Sequence, residues 1–172
     1  MLFAERLLKL RRCLTLELEE LYKELILTHA NHPHNFGSID NPDASAHGAN
    51  PLCGDIYDVD VKLQDGRIVE IKFRGAGCSI SKASASMMTE IARGKTVEEI
   101  ISLMDDFEEL LHGKLESVDV KRLGELVALR GVSAFPARVK CAVLPWKTLR
   151  EAVESLTGQD DNAVSPKEPE EK

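Results

Sequence analysis

Leu18, Leu21, Tyr22, Leu25 and Ile26 recur three and four positions apart, which predicts an amphipathic helix from Leu16 to about His29 with its apolar stripe turned toward a core. The stretch that follows, His29 to Asn50, is rich in Asn, Pro, His and Gly and is expected to be a long loop holding at most a short edge strand. Apolar and polar positions then alternate from Ile56 to Leu63 and again from Ile68 to Phe73. The Asp65-Gly66 pair between them completes the pattern of a β-hairpin. After the break at Gly75-Ala76-Gly77, helical spacing returns at Ile80, Ala83, Ser84, Met87, Met88 and Ile91, up to a stop at Arg93-Gly94. Thr96 with Glu99 is the signature of a capping box opening another short helix, and helical turns joined by loops are expected from Asp105 to Leu129. A last helix, from about Val139 or shortly after, carries Ala142, Val143, Trp146, Leu149, Val153 and Leu156 on one face.

With 172 residues the chain suits a single folding unit: residues 14–157, preceded by an extension at 1–13 and followed by a disordered acidic tail at 158–172. The extension places Arg6, Lys9, Arg11 and Arg12 among leucines, so it reads either as a surface-binding stretch or as a frayed end. A net charge of −7 gives no basic footprint for nucleic acid. No apolar run approaches the roughly 20 residues that span a bilayer, and the first residues lack the h-region of a signal peptide. A cytoplasmic chain without nucleic-acid or membrane partners is expected. In that setting the four cysteines point to metal or redox chemistry before disulfides.

Cys53 and Asp55 flank Gly54, a spacing that lets two side chains of an extended segment project to one side. Cys78 follows a glycine-rich break and opens a helix, whose N-terminal N–H groups favour a thiolate. Cys141 is expected to open the last helix in the same way. Such a set can converge on a tetrahedral zinc site. The spacing C-x24-C-x62-C is not that of a compact zinc knuckle, however, and on spacing alone small buried cysteines are the simpler reading.

The motifs NPLCGD, GAGCSISKASASMMTE and ALRGVSAFPARVKCAVLPWKTL, in that order, resemble the U-type iron–sulfur assembly proteins, the family of NifU N-terminal domains, IscU and SufU. The likeness runs from about Leu21 to Leu149. It implies a small α+β domain, SufE/IscU-like, with helices packed on one face of an antiparallel sheet of about three strands. It also implies metal ligands at Cys53, Asp55, Cys78 and Cys141. Within the family the chain looks like SufU, because the stretch between Cys78 and Cys141 is long and Lys140 stands where IscU-like members carry a histidine ligand. The SufU likeness implies a zinc-dependent sulfurtransferase. Cys53 would accept persulfide sulfur from a SufS-type cysteine desulfurase, leaving zinc as a residue of the desulfurase replaces it, and downstream Suf proteins would receive the sulfur. Arg138 matches a position that engages the desulfurase. The alternative is a scaffold for a [2Fe–2S] cluster or iron on the same ligands. FPARVK stands in place of the IscU chaperone-recognition motif, so no dedicated chaperone is expected.

Other reactive residues are given plain roles. His29, His32 and His34 are expected at the surface or capping a helix, Cys13 as a free thiol, Met87, Met88 and Trp146 as core, and Asp105, Asp106, Glu108 and Glu109 as a solvated helix face. Pro145 removes the N–H that would bond the carbonyl of Cys141, so the last helix is expected either to start just after Cys141 or to kink.

Overall fold

The computed structural model describes the backbone of residues 2–157 and the side chains of residues 15–156. The tail at 158–172 and the Cys13 side chain lie outside the described residues. In chain order the elements are α1 (Leu2–Asn31), β1 (Ala44–Asn50), β2 (Asp55–Gln64), β3 (Arg67–Ala76), α2 (Ser79–Ala92), α3 (Val97–Leu111), α4 (Val120–Leu123) and α5 (Pro136–Thr157). Short 3-10 turns occupy Leu115–Ser117 and a longer run of them Gly124–Ala134.

The three strands pair antiparallel in the order β1-β2-β3. Residues two apart on β2 point to one side, and that side is apolar: Tyr57, Val59 and Val61 are fully buried under the helices, together with Ile71 and Phe73 of β3. The opposite face is polar and carries its own pairing. Arg74 bonds Asp60 at 2.8 Å and Asp58 at 3.2 Å, and His47 bonds Asp58 at 2.6 Å. The expected hairpin is present. Its turn uses left-handed backbone at Asp65 (φ 52°) and Gly66 (φ 72°), as an Asp-Gly pair readily does.

On the covered face α2 and α5 pack against the sheet and each other, and α1 packs on α2. Trp146, 1 % exposed, centres this layer: its ring stacks at 5.0 Å on Phe107, and its Nε1 donates to Ser84 Oγ at 3.2 Å. The Ser84 hydroxyl in turn donates to the carbonyl of Ala142 at 2.6 Å. The core assignment of Met87, Met88 and Trp146 agrees with their burial.

Four expectations need correction. First, α1 begins at Leu2, so the backbone of residues 2–13 continues the helix. Second, α5 begins at Pro136, where a proline's fixed φ suits the first helical position, and it runs through Pro145. Cys141 therefore sits in the second turn of α5, its Sγ 3.6 Å from the carbonyl of Ala137. Third, His29 is neither capping nor exposed. At 3 % exposure it joins Ser86 Oγ (2.7 Å) to Glu125 (3.0 Å), and so ties α1 to α2 and to the 3-10 run. Fourth, α3 is not short but extends to Leu111; its acids lie on a surface face as expected, where Asp106 pairs with Arg122 and Asp105 with Arg150, each at 2.7 Å.

Candidate metal centre

Cys53 stands in the tight turn joining β1 to β2, not on an extended segment. Asn50 builds the turn: its carbonyl accepts the N–H of Gly54 at 2.8 Å and of Cys53 at 3.2 Å, and its side-chain oxygen accepts the N–H of Leu52 at 3.1 Å. Gly54 takes φ 72°, a left-handed conformation that glycine adopts without strain, and nothing lies within 4 Å of where its Cβ would be. Asp55 follows as the first residue of β2, facing inward. Cys78 is the N-cap of α2, with extended backbone (φ −69°, ψ 168°) and no capping hydrogen bond from its thiol.

These elements meet at one end of the sheet. Ligand atoms of Cys53, Asp55 and Cys141 all lie within 4.8 Å of one another, and the two sulfurs are 3.1 Å apart. Bonds of about 2.0–2.3 Å to a tetrahedral zinc place its ligand atoms roughly 3.3–3.8 Å apart, so this spacing is of coordination scale. Cys78 flanks the group without joining it. Its N–H donates to Asp55 Oδ1 at 3.1 Å, while its Sγ is not among the mutually close atoms.

Burial grades the three thiols: Cys53 is exposed, Cys78 half-buried and Cys141 buried. Burial pushes the Cys141 thiol far up, and the adjoining Cys53, Cys78 and Asp55 add to the effect. Burial acts the same way on Cys78, but the N–H and hydroxyl of Ser81 and the N–H of Ile80 outweigh it, and the thiol lies below its ordinary value. Asp55 is 2 % exposed, and its Oδ2 is buried with no hydrogen-bond partner. An unsatisfied buried carboxylate oxygen beside two or three sulfurs is what a divalent cation would complete, so the donor set fits a metal.

Arg138 is exposed in the first turn of α5. It borders a groove of about 940 Å³ that Cys78, Tyr22, Arg130 and Phe135 also line. Arg130 stacks over the Tyr22 ring at 5.1 Å. Lys140, beside Cys141, is exposed. Two residues that the sequence did not mark also belong to the surroundings: Asn50, legible only through its turn, and Tyr57, which reads as an ordinary inward strand residue.

Fold and centre together define a small α+β domain with a cysteine–carboxylate cluster at one end of a three-stranded sheet. The family described as NifU-like N terminal domain matches residues 21–156, and the chain belongs to that family of iron–sulfur cluster assembly scaffold and sulfurtransferase proteins. It is 46 % identical over 142 residues to the zinc-dependent sulfurtransferase SufU of Bacillus subtilis, covering 82 % of this chain and 95 % of that one. Against the iron–sulfur cluster assembly scaffold protein IscU of Streptococcus pyogenes it is 42 % identical over 137 residues, covering 80 % and 85 %. A solved structure described as a cluster assembly scaffold protein for the SUF system of Fervidobacterium islandicum superposes with a TM-score of 0.72 at 36 % identity, covering 76 % of this chain and 94 % of that one. Among the described residues no helix is long and apolar enough to cross a membrane.

Proposed function

We propose that the chain serves iron–sulfur cluster assembly in the cytoplasm through a metal–thiolate centre at Cys53, Asp55, Cys78 and Cys141. The observation that carries this reading is the Asp55 carboxylate, buried beside Cys53 and Cys141 with one oxygen unpartnered. Zinc bound there would hold the thiols deprotonated near neutral pH.

Two finer readings share the centre. A scaffold for a [2Fe–2S] cluster has the broader support among relatives, since the scaffold description recurs across bacteria and archaea. A sulfur acceptor is supported by the 46 % identity to a zinc-dependent sulfurtransferase and by Lys140, whose exposed ammonium has no lone pair for a metal.

In the acceptor reading Cys53 receives the sulfur from a cysteine desulfurase. Its thiolate attacks the terminal sulfur of the partner's persulfide; the new S–S bond forms at Cys53 Sγ as the donor's S–S bond breaks and the donor cysteine leaves as thiolate. No external oxidant or reductant enters. Cys53 suits this role because it is exposed on a turn with open space around Gly54, whereas Cys78 and Cys141 are fixed to helices. In this reading Arg138, exposed near Cys78, would bond an acidic group of the desulfurase, and later Suf proteins would take the sulfur onward.

Incubation with desulfurase and cysteine, followed by mass spectrometry under non-reducing conditions, tests the acceptor. An adduct of about 32 Da, the mass of a sulfur atom, should map to Cys53 and vanish in Cys53→Ser. An adduct on Cys78 or Cys141 that survives this substitution overturns the assignment. Stable [2Fe–2S] absorption after anaerobic loading with iron and sulfide, without such an adduct, selects the scaffold.

A further inference from the structure

The strand β2 reaches both backbone polar groups of Cys78, the N–H directly and the carbonyl through Ser81 of α2. Asp55 and Tyr57 are successive inward positions of β2, and both reach the start of α2. Asp55 Oδ1 accepts the N–H of Cys78 at 3.1 Å. Tyr57 Oη lies 3.0 Å from Ser81 Oγ, and the Ser81 hydroxyl donates to the carbonyl of Cys78, also at 3.0 Å. With the Ser81 proton on the Cys78 carbonyl, the Tyr57 hydroxyl is the donor left for the Tyr57–Ser81 bond.

The approach is tight. A Cβ at residue 77 would stand 2.4 Å from both Tyr57 Oη and Ser81 Oγ, so only the glycine present there leaves room for the pair. Tyr57 and Ser81 are both fully buried. Cys53 is tied only within its own exposed turn: its N–H donates to the Asn50 carbonyl at 3.2 Å, and its sulfur meets the Asn50 side-chain amide at 3.5 Å and the Cys141 sulfur at 3.1 Å.

We propose that Tyr57 and Ser81 are positioning residues that fix Cys78 at the centre, so that exchange of a thiolate falls to Cys53. The inference rests on the metal–thiolate reading above. It adds the reason why one of three chemically similar ligands moves and another does not.

Tyr57→Phe keeps the ring and removes the donor, and Ser81→Ala removes the relay. With zinc-loaded protein, iodoacetamide labelling mapped by mass spectrometry should modify Cys53 first in the wild type. In each variant the rate at Cys78 relative to Cys53 should rise about three- to tenfold, the factor that one hydrogen bond of ordinary net strength supplies. In the metal-free chain the Hα–Hβ couplings of Cys78 should report one side-chain rotamer in the wild type and averaging in the variants. An unchanged labelling ratio and unchanged couplings in both variants overturn the proposal. Equal loss of protection at buried Cys141 overturns it too, because the pair would then merely hold the core. Cobalt-substituted wild type without a thiolate-to-cobalt absorption would remove the metal reading, and the couplings would still decide the positioning of Cys78.

Discussion

Replacing Asp55 by asparagine should change stability in opposite directions with and without metal. In the metal-free chain one carboxylate oxygen of Asp55 accepts the N–H of Cys78 while the other is buried and unpartnered. Leaving a buried polar group unsatisfied costs about 1–3 kcal/mol, and more for a charge. The asparagine side chain would keep the shape and the accepting oxygen, remove the charge, and put in place of Oδ2 an amide donor for which the neighbouring Cys53 and Cys141 sulfurs are acceptors. Metal-free Asp55→Asn is therefore expected to be more stable by about 1–3 kcal/mol, a rise in Tm of roughly 2–12 °C at this chain length. With zinc at a hundred times its Kd the wild type gains about 2.7 kcal/mol, and the variant, which has lost its anionic ligand, loses most of that gain. The order of the two proteins should invert. Urea unfolding at pH 7 in chelator and in excess zinc reads both arms. A variant less stable than wild type in chelator by more than about 1 kcal/mol would refute the reasoning, because Oδ2 would then already be satisfied.

Two further outcomes follow from other parts of the molecule. Arg138→Ala should weaken desulfurase binding about tenfold or more, as loss of a charge-assisted hydrogen bond does, and leave Tm unchanged because the side chain is exposed; calorimetric titration with wild-type affinity would discard the contact. Asp60 is 3 % exposed, and although burial raises its carboxyl, Ser45, the Ile39 N–H and Arg74 together hold it below the ordinary carboxylate value. Its folded pKa lies under its unfolded one, so the stability it contributes is complete above about pH 4 and disappears as pH falls through the folded value. Asp60→Asn should flatten that acid limb in urea melts between about pH 5 and pH 2. An unaltered limb would show that the carboxylate does not carry it.

Much of this architecture was legible because local rules and burial agree. The Thr96–Glu99 capping box forms as read, with Thr96 Oγ1 accepting from the Glu99 N–H at 3.2 Å and Glu99 Oε2 accepting from the Thr96 N–H at 2.8 Å. The alternation on β2 and the Asp-Gly turn specified the hairpin, and the glycine break placed Cys78 at the start of a helix. What escaped was set by tertiary contacts or by a misjudged boundary. Pro136 has the form of a helix start, and α5 runs from it through Pro145, with Trp146 and Ala142 on either side of the proline both bonded to Ser84 of α2. His29 sat among polar loop residues, and only the fold supplies Ser86 and Glu125, 57 and 96 positions away. The extended spacing expected for Cys53 and Asp55 is a turn and a strand start, which reach the same end by a different backbone. Tyr57 carries no motif, since an inward tyrosine on a strand looks like any other core residue until the helix it meets is known.

The proposed centre is a metal held by three sulfurs and one carboxylate oxygen at Cys53, Asp55, Cys78 and Cys141. X-ray absorption at the metal edge, on protein purified without added metal, tests it most directly. One tetrahedral zinc per chain is expected, with a first shell of about three sulfurs near 2.3 Å and one oxygen near 2.0–2.2 Å. A first shell containing histidine nitrogen, or one with no sulfur, would contradict it.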